Sequence, residues 1–284
     1  MSERAVTFGP EGGLVGVLSE PSAPRAGAPT ALLFNTGIHH HVGPYRFNVD
    51  AARALEARGV PCLRFDLSGM GDSETRAGTA AGLDAAMDDV RDAMTFLEGR
   101  GHRAFVLVGF CSGVDVAHPL ALVDRRVVGL ATLEGYAYKT LGHRLRRPLR
   151  YLELGRWERV LRVRAARLGI GAPLVDVAGL EGGRGPSVFA RKYPTRGEFA
   201  RDVLALSARG VRSLFVYFGG DTDVSHRVQL HETLSRPWLP PNVEVEFYKD
   251  ADHIMYRPGD RRRAAERLAA FCAGPFEAAR ALPP

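Results

Sequence analysis

Short apolar runs alternate with longer segments of helical period along this chain of 284 residues. Such alternation is typical of a mostly parallel sheet with helices on both faces. The predicted strands are AVTFG and GGLVGVLSEP, which form an opening hairpin, followed by TALLFNTG, PCLRFDL, AFVLVGF, VVGLATLEG, SLFVYFGG and VEVEFYKD. The main predicted helices are PYRFNVDAARALEARG, AAGLDAAMDDVRDAMTFLEGRG, a helix that starts at Ser112, and DRRRAAERLAAFC. We therefore predict an α/β fold built on an eight-stranded sheet.

Residues 138–197 interrupt this alternation, because they contain no convincing strand pattern. The first half of this segment has apolar residues at helical spacing and is rich in arginine. It falls between the sixth and seventh predicted strands, so we predict a helical cap over the carboxyl ends of the strands. In open parallel sheets, ligands bind at that edge. The predicted core comprises residues 1–137 and 198–284, with the cap inserted at 138–197.

Composition and charge indicate where the protein is expected to reside and which partners are not expected. No apolar run approaches the ~18 residues that a membrane span needs, and we expect a cytoplasmic protein without a membrane span. Cys62, Cys111 and Cys272 are an odd number of widely separated cysteines, a pattern of reduced thiols rather than of a disulfide framework. The formal charge of +6 is carried mainly by arginines spread over the whole chain. Because aromatic residues do not interleave with them, we expect no nucleic-acid partner.

A cysteine stands at the junction between a predicted strand and a predicted helix, in the stretch VLVGFCSGVDVAH. Gly109 and Gly113 flank Cys111, and small residues are needed there if the strand and helix backbones approach closely around a strained turn. The positive end of the following helix would stabilise a thiolate. The alternative is that Cys111 is a small buried apolar residue, which is how we interpret Cys62 and Cys272.

This strand–GFCSG–helix arrangement resembles the nucleophile elbow of the α/β-hydrolase superfamily, with cysteine in place of serine. The segments NTGIHHHVGPYRF and LRFDLSGMGDS resemble a branch related to the serine-aminopeptidase-like hydrolases. Members of this branch often occur with systems that build polyketides, nonribosomal peptides or exported polysaccharides. The resemblance is strongest over residues 30–135 and implies an α/β-hydrolase fold with a nucleophile, acid and histidine in that order along the chain.

The same resemblance implies that His253 is the catalytic base. His253 lies in DADH, directly after the last predicted strand, where this superfamily carries its histidine. His226 follows the preceding strand and His118 lies within the helix after the elbow. We interpret both as surface or packing residues.

Three carboxylates are candidates for the acid that orients His253. The resemblance selects Asp221, which directly follows the glycine turn after the seventh strand, and Asp223 remains an alternative. Some acyl-processing members carry the acid after the sixth strand, where this chain has Glu134. Glu134 ranks last because the predicted cap begins immediately beyond it.

An oxyanion hole in this superfamily combines two backbone N–H groups. The resemblance assigns them to Ser112, which follows the nucleophile, and to Ile38, in the loop after the third strand, where Gly37 allows the chain to turn.

The neighbouring histidines 39–41 suggest a metal site, but consecutive side chains are expected to point in different directions. We therefore expect no metal there and predict instead that one of these histidines lines the mouth of the pocket. Asp66 and Asp72, in FDLSGMGDS, are predicted to fix their glycine-rich turn through local hydrogen bonds.

Together these residues predict an acyl-transfer enzyme without a cofactor. Cys111 would attack an ester or thioester, and the resulting thioester intermediate would pass to water, an amine, a hydroxyl or a carbanion. Dienelactone hydrolases and tetramate-forming Dieckmann cyclases are similar in the residue types of their triads. An acidic acyl or peptidyl carrier protein is a candidate partner for the arginine-rich cap. The competing hypothesis is a non-catalytic scaffold that binds a small ligand or a partner protein and carries an unreactive Cys111.

Overall fold

An eight-stranded sheet forms the centre of the structure, a computed structural model that describes residues 2–76, 82–146, 193–219 and 223–276. The strands are β1 (Ser2–Phe8), β2 (Leu14–Glu20), β3 (Thr30–Leu33), β4 (Cys62–Phe65), β5 (Phe105–Phe110), β6 (Val127–Leu133), β7 (Arg212–Phe218) and β8 (Val243–Tyr248). Their order in the sheet is β1-β2-β4-β3-β5-β6-β7-β8. β2 pairs antiparallel with β1 and with β4, and the remaining pairs are parallel. The predicted eight-stranded, mostly parallel sheet is confirmed.

Helices cover both faces of this sheet. In the described residues they are α1 (Phe47–Glu56), α2 (Leu83–Glu98), α3 (Val114–Val123), α4 (Leu141–Arg146), α5 (Arg196–Ala208), α6 (Gln229–Thr233) and α7 (Pro258–Cys272). α1 and α7 pack in one apolar cluster against the sheet. α2 and α3 pack in a second cluster, and α5 packs with β7 and β8 in a third.

The central strands are mainly apolar because both of their faces are buried. Every residue of β3, β5 and β6 is buried. In β5, Val106 and Val108 face α1 and α7, whereas Phe105 and Leu107 face α2 and α3. This is the pattern expected of parallel strands inside an α/β sheet. The parallel strands end at one common edge, and the residues that follow β3, β5, β6, β7 and β8 meet there.

Only the two ends of the predicted cap lie within the described residues. α4 begins the segment, and α5 starts at Arg196, where Thr195 and Glu198 form a reciprocal capping box. The Tyr138 hydroxyl donates a hydrogen bond to the Pro194 carbonyl at 2.7 Å and so ties the two ends together. Residues 147–192 lie outside the described residues, and the helical cap stays a prediction.

Within the residues that the structure describes, no helix combines the length and apolar character needed to cross a membrane.

Candidate active site

Cys111 occupies a strained turn between β5 and α3. Its φ angle is 49°, in the left-handed region that residues other than glycine rarely adopt. A methyl group on Gly109 would lie 2.9 Å from the Val114 backbone, and one on Gly113 would lie 3.1 Å from the Asn35 carbonyl oxygen. A side chain at position 109 would therefore overlap the Val114 backbone, and the space at position 113 is tight. Cys111 lies on a close strand–turn–helix connection, and its identification as a nucleophile elbow stays a prediction.

His253 lies in the loop after β8, at the same edge of the sheet as Cys111. Its imidazole forms a hydrogen bond with the Cys111 thiol and stacks on the Phe110 ring, with 5.8 Å between ring centroids. The side chain remains 38% exposed, so the pair is open to a substrate. The structure thus brings Cys111 and His253 together as the sequence predicts.

Glu134 holds the other side of the His253 ring. Its Oε2 lies 3.2 Å from His253 Nδ1, which leaves Nε2 for the thiol. Its Oε1 accepts a hydrogen bond from the Phe218 backbone N–H at the end of β7. The Glu134 side chain is only 3% exposed, and its backbone has a left-handed φ of 52°. The carboxylate is therefore fixed by protein contacts on both oxygens.

Of the other two candidate acids, the structure describes Asp223 but not Asp221. Asp223 forms an ion pair with Lys139, with 3.1 Å between Oδ1 and Nζ. Asp221 lies outside the described residues, so its role stays a prediction. Among the described carboxylates, the one bonded to His253 is Glu134, which the sequence ranks last. Glu134 ranks last in the sequence because the predicted cap begins just beyond it, but its carboxylate is held at the sheet edge by the backbone N–H at the end of β7.

The electrostatics of this group favour a charged histidine. Hydrogen bonds with Cys111 and then Glu134 raise the pKa of His253 to about 10, although burial alone would lower it. The imidazole is therefore protonated at neutral pH. An imidazolium beside a thiol stabilises the thiolate, which is the nucleophilic form of cysteine.

The loop after β3 lies directly against the elbow. The Gly37 N–H donates to the Ser112 hydroxyl at 2.7 Å, and the Thr36 hydroxyl donates to the Phe110 carbonyl at 3.1 Å. Gly37 has a φ of 55°, which fits the predicted turn, and the Ile38 that follows is 84% exposed. The Ser112 and Ile38 N–H groups remain the predicted oxyanion donors.

The loop after β3, residues 35–41, is called the oxyanion loop. Asp66 holds it in place through hydrogen bonds. Its Oδ1 accepts hydrogen bonds from Asn35 Nδ2 and from the His41 N–H, each at 2.6 Å. Its Oδ2 accepts from the Asp72 N–H at 3.1 Å. Burial would raise the pKa of Asp66, but the hydrogen bonds from His41, Asp72 and Asn35 outweigh burial and lower it. The predicted local hydrogen bonding by Asp66 is confirmed, and it also holds the oxyanion loop.

His40 and His41 lie side by side. Their ring centroids are 3.9 Å apart, and both rings approach Asp66. The expectation that consecutive histidine side chains diverge is wrong for this pair. The reason is a backbone turn, closed by a hydrogen bond from the Gly43 N–H to the His40 carbonyl, which prevents the alternation found in an extended chain.

A cavity of about 440 Å³ borders the elbow on the α3 side, and the sequence patterns did not predict it. Its described walls include Ser112 and Gly37, together with residues of α2, α3 and α5.

His118 lies in the wall of this cavity and is buried, with its Nε2 3.1 Å from Asp202 Oδ2. His226 is buried beside Glu232. Both side chains are buried, and their interpretation as surface or packing residues stays a prediction.

Comparison with known proteins finds structures of similar fold but no matching protein family. No protein-family model matches the chain, and no curated protein matches it. Solved structures do match over nearly the whole length. The esterase domain of a Rhodothermus marinus protein superposes with a TM-score of 0.57 at 19% identity, covering 96% of this chain and 98% of that one.

Two further structures agree. A hypothetical protein from Pseudomonas aeruginosa has a TM-score of 0.60 at 20% identity, covering 95% of this chain and 92% of its own. The α/β hydrolase GrgF from Penicillium sp. sh18 has a TM-score of 0.56 at 18% identity, covering 96% and 98%. This chain has an α/β-hydrolase fold. At these identities the likeness concerns the fold, and the resemblance to the serine-aminopeptidase-like branch stays a prediction.

Proposed function

We propose that this α/β-hydrolase-fold protein is a cysteine-dependent acyl-transfer enzyme that acts on esters or thioesters. One observation carries the proposal: the Cys111 thiol contacts an imidazole whose opposite nitrogen is bonded to a buried carboxylate. A nucleophile, a base and a group that orients the base are the recurring parts of covalent acyl transfer. The strained backbone at Cys111 supports the same role, since strain of this kind clusters at functional sites.

The first half of the reaction forms an acyl-enzyme. The Cys111 thiolate attacks the substrate carbonyl carbon, and the carbonyl π electrons move to oxygen. The N–H groups of Ser112 and Ile38 stabilise that oxyanion. When the intermediate collapses, the bond to the leaving alcohol or thiol breaks. His253 donates its proton to that leaving group, and a thioester to Cys111 remains.

The second half releases the acyl group. Neutral His253 accepts a proton from the entering water, alcohol or amine as it attacks the thioester carbonyl. Collapse of the second intermediate expels the Cys111 thiolate, and the proton stays on His253, which restores the starting ion pair. Hydrolysis and transfer differ only in the acceptor.

Glu134 is the acid that we place behind His253. It fixes the ring and stabilises the imidazolium through the 3.2 Å contact with Nδ1. Asp221 remains the choice made from the sequence, and the variants Glu134→Gln and Asp221→Asn distinguish the two.

A thioester donor suits a thiol nucleophile, because moving an acyl group from one thiol to another is close to neutral in free energy. The cavity beside Ser112 offers apolar walls from Leu67, Met70, Val116 and Leu122, which suit an acyl chain. We further propose a donor that an acidic carrier protein delivers, in a biosynthetic pathway for a natural product or polysaccharide. Three cysteines in the thiol form suit a reducing compartment such as the cytoplasm.

The proposal is tested by intact-protein mass spectrometry after incubation with a panel of acyl N-acetylcysteamine thioesters and p-nitrophenyl esters. We expect one acyl adduct, which peptide mapping places on Cys111 and which Cys111→Ala abolishes. Cys62 and Cys272 are internal controls, because burial raises the pKa of both thiols, that of Cys272 to about 12.

Two results would overturn the proposal. One is the absence of any adduct across the whole panel. The other is alkylation of Cys111 by iodoacetamide no faster than that of Cys62 and Cys272 in the folded protein. Either result would favour the non-catalytic scaffold.

A further inference from the structure

A second cluster of chemically competent side chains lies on the oxyanion loop and the glycine-rich turn, apart from the Cys111 group. His40 and His41 come from the loop, and Asp66 and Asp72 come from the turn after β4. One ligand atom from each of the four lies within 4.8 Å of all the others. His40 Nε2 is 3.0 Å from Asp72 Oδ2 and 3.2 Å from Asp66 Oδ2, and His41 Nδ1 is 2.7 Å from the same Asp66 oxygen.

Three of the six pairwise separations are close to those of a metal site, and the other three are within 4.8 Å. Ligands bound to Zn²⁺ at 2.0–2.1 Å in a tetrahedron lie about 3.3 Å apart. The three measured separations therefore need changes of only about 0.6 Å or less to match that geometry. The burial is also suitable, since Asp66 and His41 form a buried floor, while His40 is 39% and Asp72 is 61% exposed. An ion would reach the cluster from the side of His40 and Asp72.

Hydrogen bonds restrain both oxygens of the Asp66 carboxylate. Oδ1 accepts from Asn35 Nδ2 and from the His41 N–H, which fixes the plane of the carboxylate. Oδ2 accepts from the Asp72 N–H at 3.1 Å and also faces both imidazoles. Outer hydrogen bonds that orient a ligating carboxylate are a regular part of protein metal sites. Gly71 allows this packing, because a methyl group there would overlap the Asp66 carboxylate.

We infer that His40, His41, Asp66 and Asp72 bind one divalent transition-metal ion of the zinc type. Two imidazoles and two carboxylates suit Zn²⁺, whereas Ca²⁺ and Mg²⁺ prefer oxygen ligands alone. The ion neutralises the two carboxylates and ties the oxyanion loop to residues 66–72. His40 follows Ile38 by two positions, so the ion holds the loop that carries the proposed oxyanion donor. Its role is structural, and it takes no part in the chemistry of Cys111.

The test uses Zn²⁺ itself, with isothermal titration of protein stripped by EDTA. All proteins carry Cys111→Ser, so that the reactive thiol does not bind zinc. We expect one equivalent of Zn²⁺, and a dissociation constant raised at least about tenfold by His40→Ala and by Asp72→Asn. His39→Ala is the matched control, because this exposed neighbour lies outside the cluster, and it should leave the constant unchanged.

Co²⁺ provides an independent spectroscopic readout. Four-coordinate Co²⁺ should give intense visible absorption bands in the parent and in His39→Ala, and weak ones in His40→Ala and Asp72→Asn. Circular dichroism on each variant confirms that it is folded.

Two outcomes would overturn the inference. In one, the stripped parent binds no Zn²⁺, and the imidazoles then simply donate hydrogen bonds to the carboxylates. In the other, binding survives the double variant His40→Ala and Asp72→Asn. Neither outcome touches the proposal for Cys111, which rests on other residues.

Discussion

Two histidine–carboxylate pairs in this molecule have opposite electrostatics. His253 contacts Glu134, and its pKa is raised to about 10. His118 contacts Asp202 at a similar distance, yet its pKa lies below the ordinary 6.5. For His118 burial is the largest influence and outweighs the carboxylate, whereas His253 is partly exposed and has the Cys111 thiol as a second partner.

The difference shows that contact with a carboxylate is not enough by itself to raise the pKa of a histidine. Burial disfavours the imidazolium, and one acceptor at the edge of the ring compensates only in part. For His253, a hydrogen bond with the Cys111 thiol adds to the effect of the carboxylate and favours the charged form. The proposed function therefore rests on the contact with the thiol, whereas the His118 pair lies in the wall of the cavity.

The largest expected effect comes from removing each histidine in turn. We expect His253→Ala to reduce kcat for thioester cleavage by about 10²–10⁴-fold, because the thiolate loses its counter-ion and the leaving group loses its proton donor. His118→Gln should change kcat by less than about threefold and should shift KM, because His118 lines the cavity. Steady-state kinetics on a thioester reactive in the adduct experiment measure both. Equal losses of kcat would remove the distinction between the pairs.

A smaller effect is expected from neutralising the two carboxylates. Glu134→Gln keeps the shape of the side chain but removes the charge, so the pKa of His253 should fall and kcat should drop by about 10–10²-fold. Asp202→Asn is the matched control and should leave kcat within about twofold. The pH profile of kcat/KM provides the diagnostic readout: its alkaline limb should move to lower pH in Glu134→Gln alone.

Asp221→Asn completes this comparison. If it shifts the alkaline limb and Glu134→Gln does not, the acid is Asp221, and the contact between Glu134 and His253 is only structural.

The smallest effect is on stability, and its sign differs between the pairs. The folded-state pKa of His253 is raised, so its stabilisation is full below pH 6.5 and is lost as the pH rises towards about 10. The folded-state pKa of His118 is lowered, so stability falls as the pH drops below 6.5 and the unfolded chain takes up a proton. Urea unfolding of the wild type, His253→Ala and His118→Gln from pH 5 to pH 10 measures both. The His253→Ala difference should shrink at high pH, and the His118→Gln difference should shrink at low pH; the same trend in both would contradict the assigned shifts.

Much of the fold follows from local patterns in the sequence. Buried strands such as AFVLVGF are apolar throughout because both faces are covered, and this pattern is visible without any contact information. Only part of the elbow is local, since Gly109 packs against the nearby Val114 backbone, whereas Gly113 packs against the Asn35 carbonyl in the distant loop after β3. The position of His253 follows from the order of the strands.

The partners of these residues depend on three-dimensional positions that no local pattern carries. Glu134 and His253 are 119 residues apart, and which carboxylate reaches Nδ1 depends on where neighbouring strands end along a twisted sheet edge. The rings of His40 and His41 lie close together because the loop turns at that point. The cavity lies between α2, α3 and α5, beside the elbow. The sequence by itself thus determined the eight-stranded sheet, and it predicted Cys111 as the nucleophile and His253 as the base. Only the tertiary structure decided which carboxylate among the described residues faces the base, and which histidines face each other, because these contacts depend on a few ångströms between distant segments.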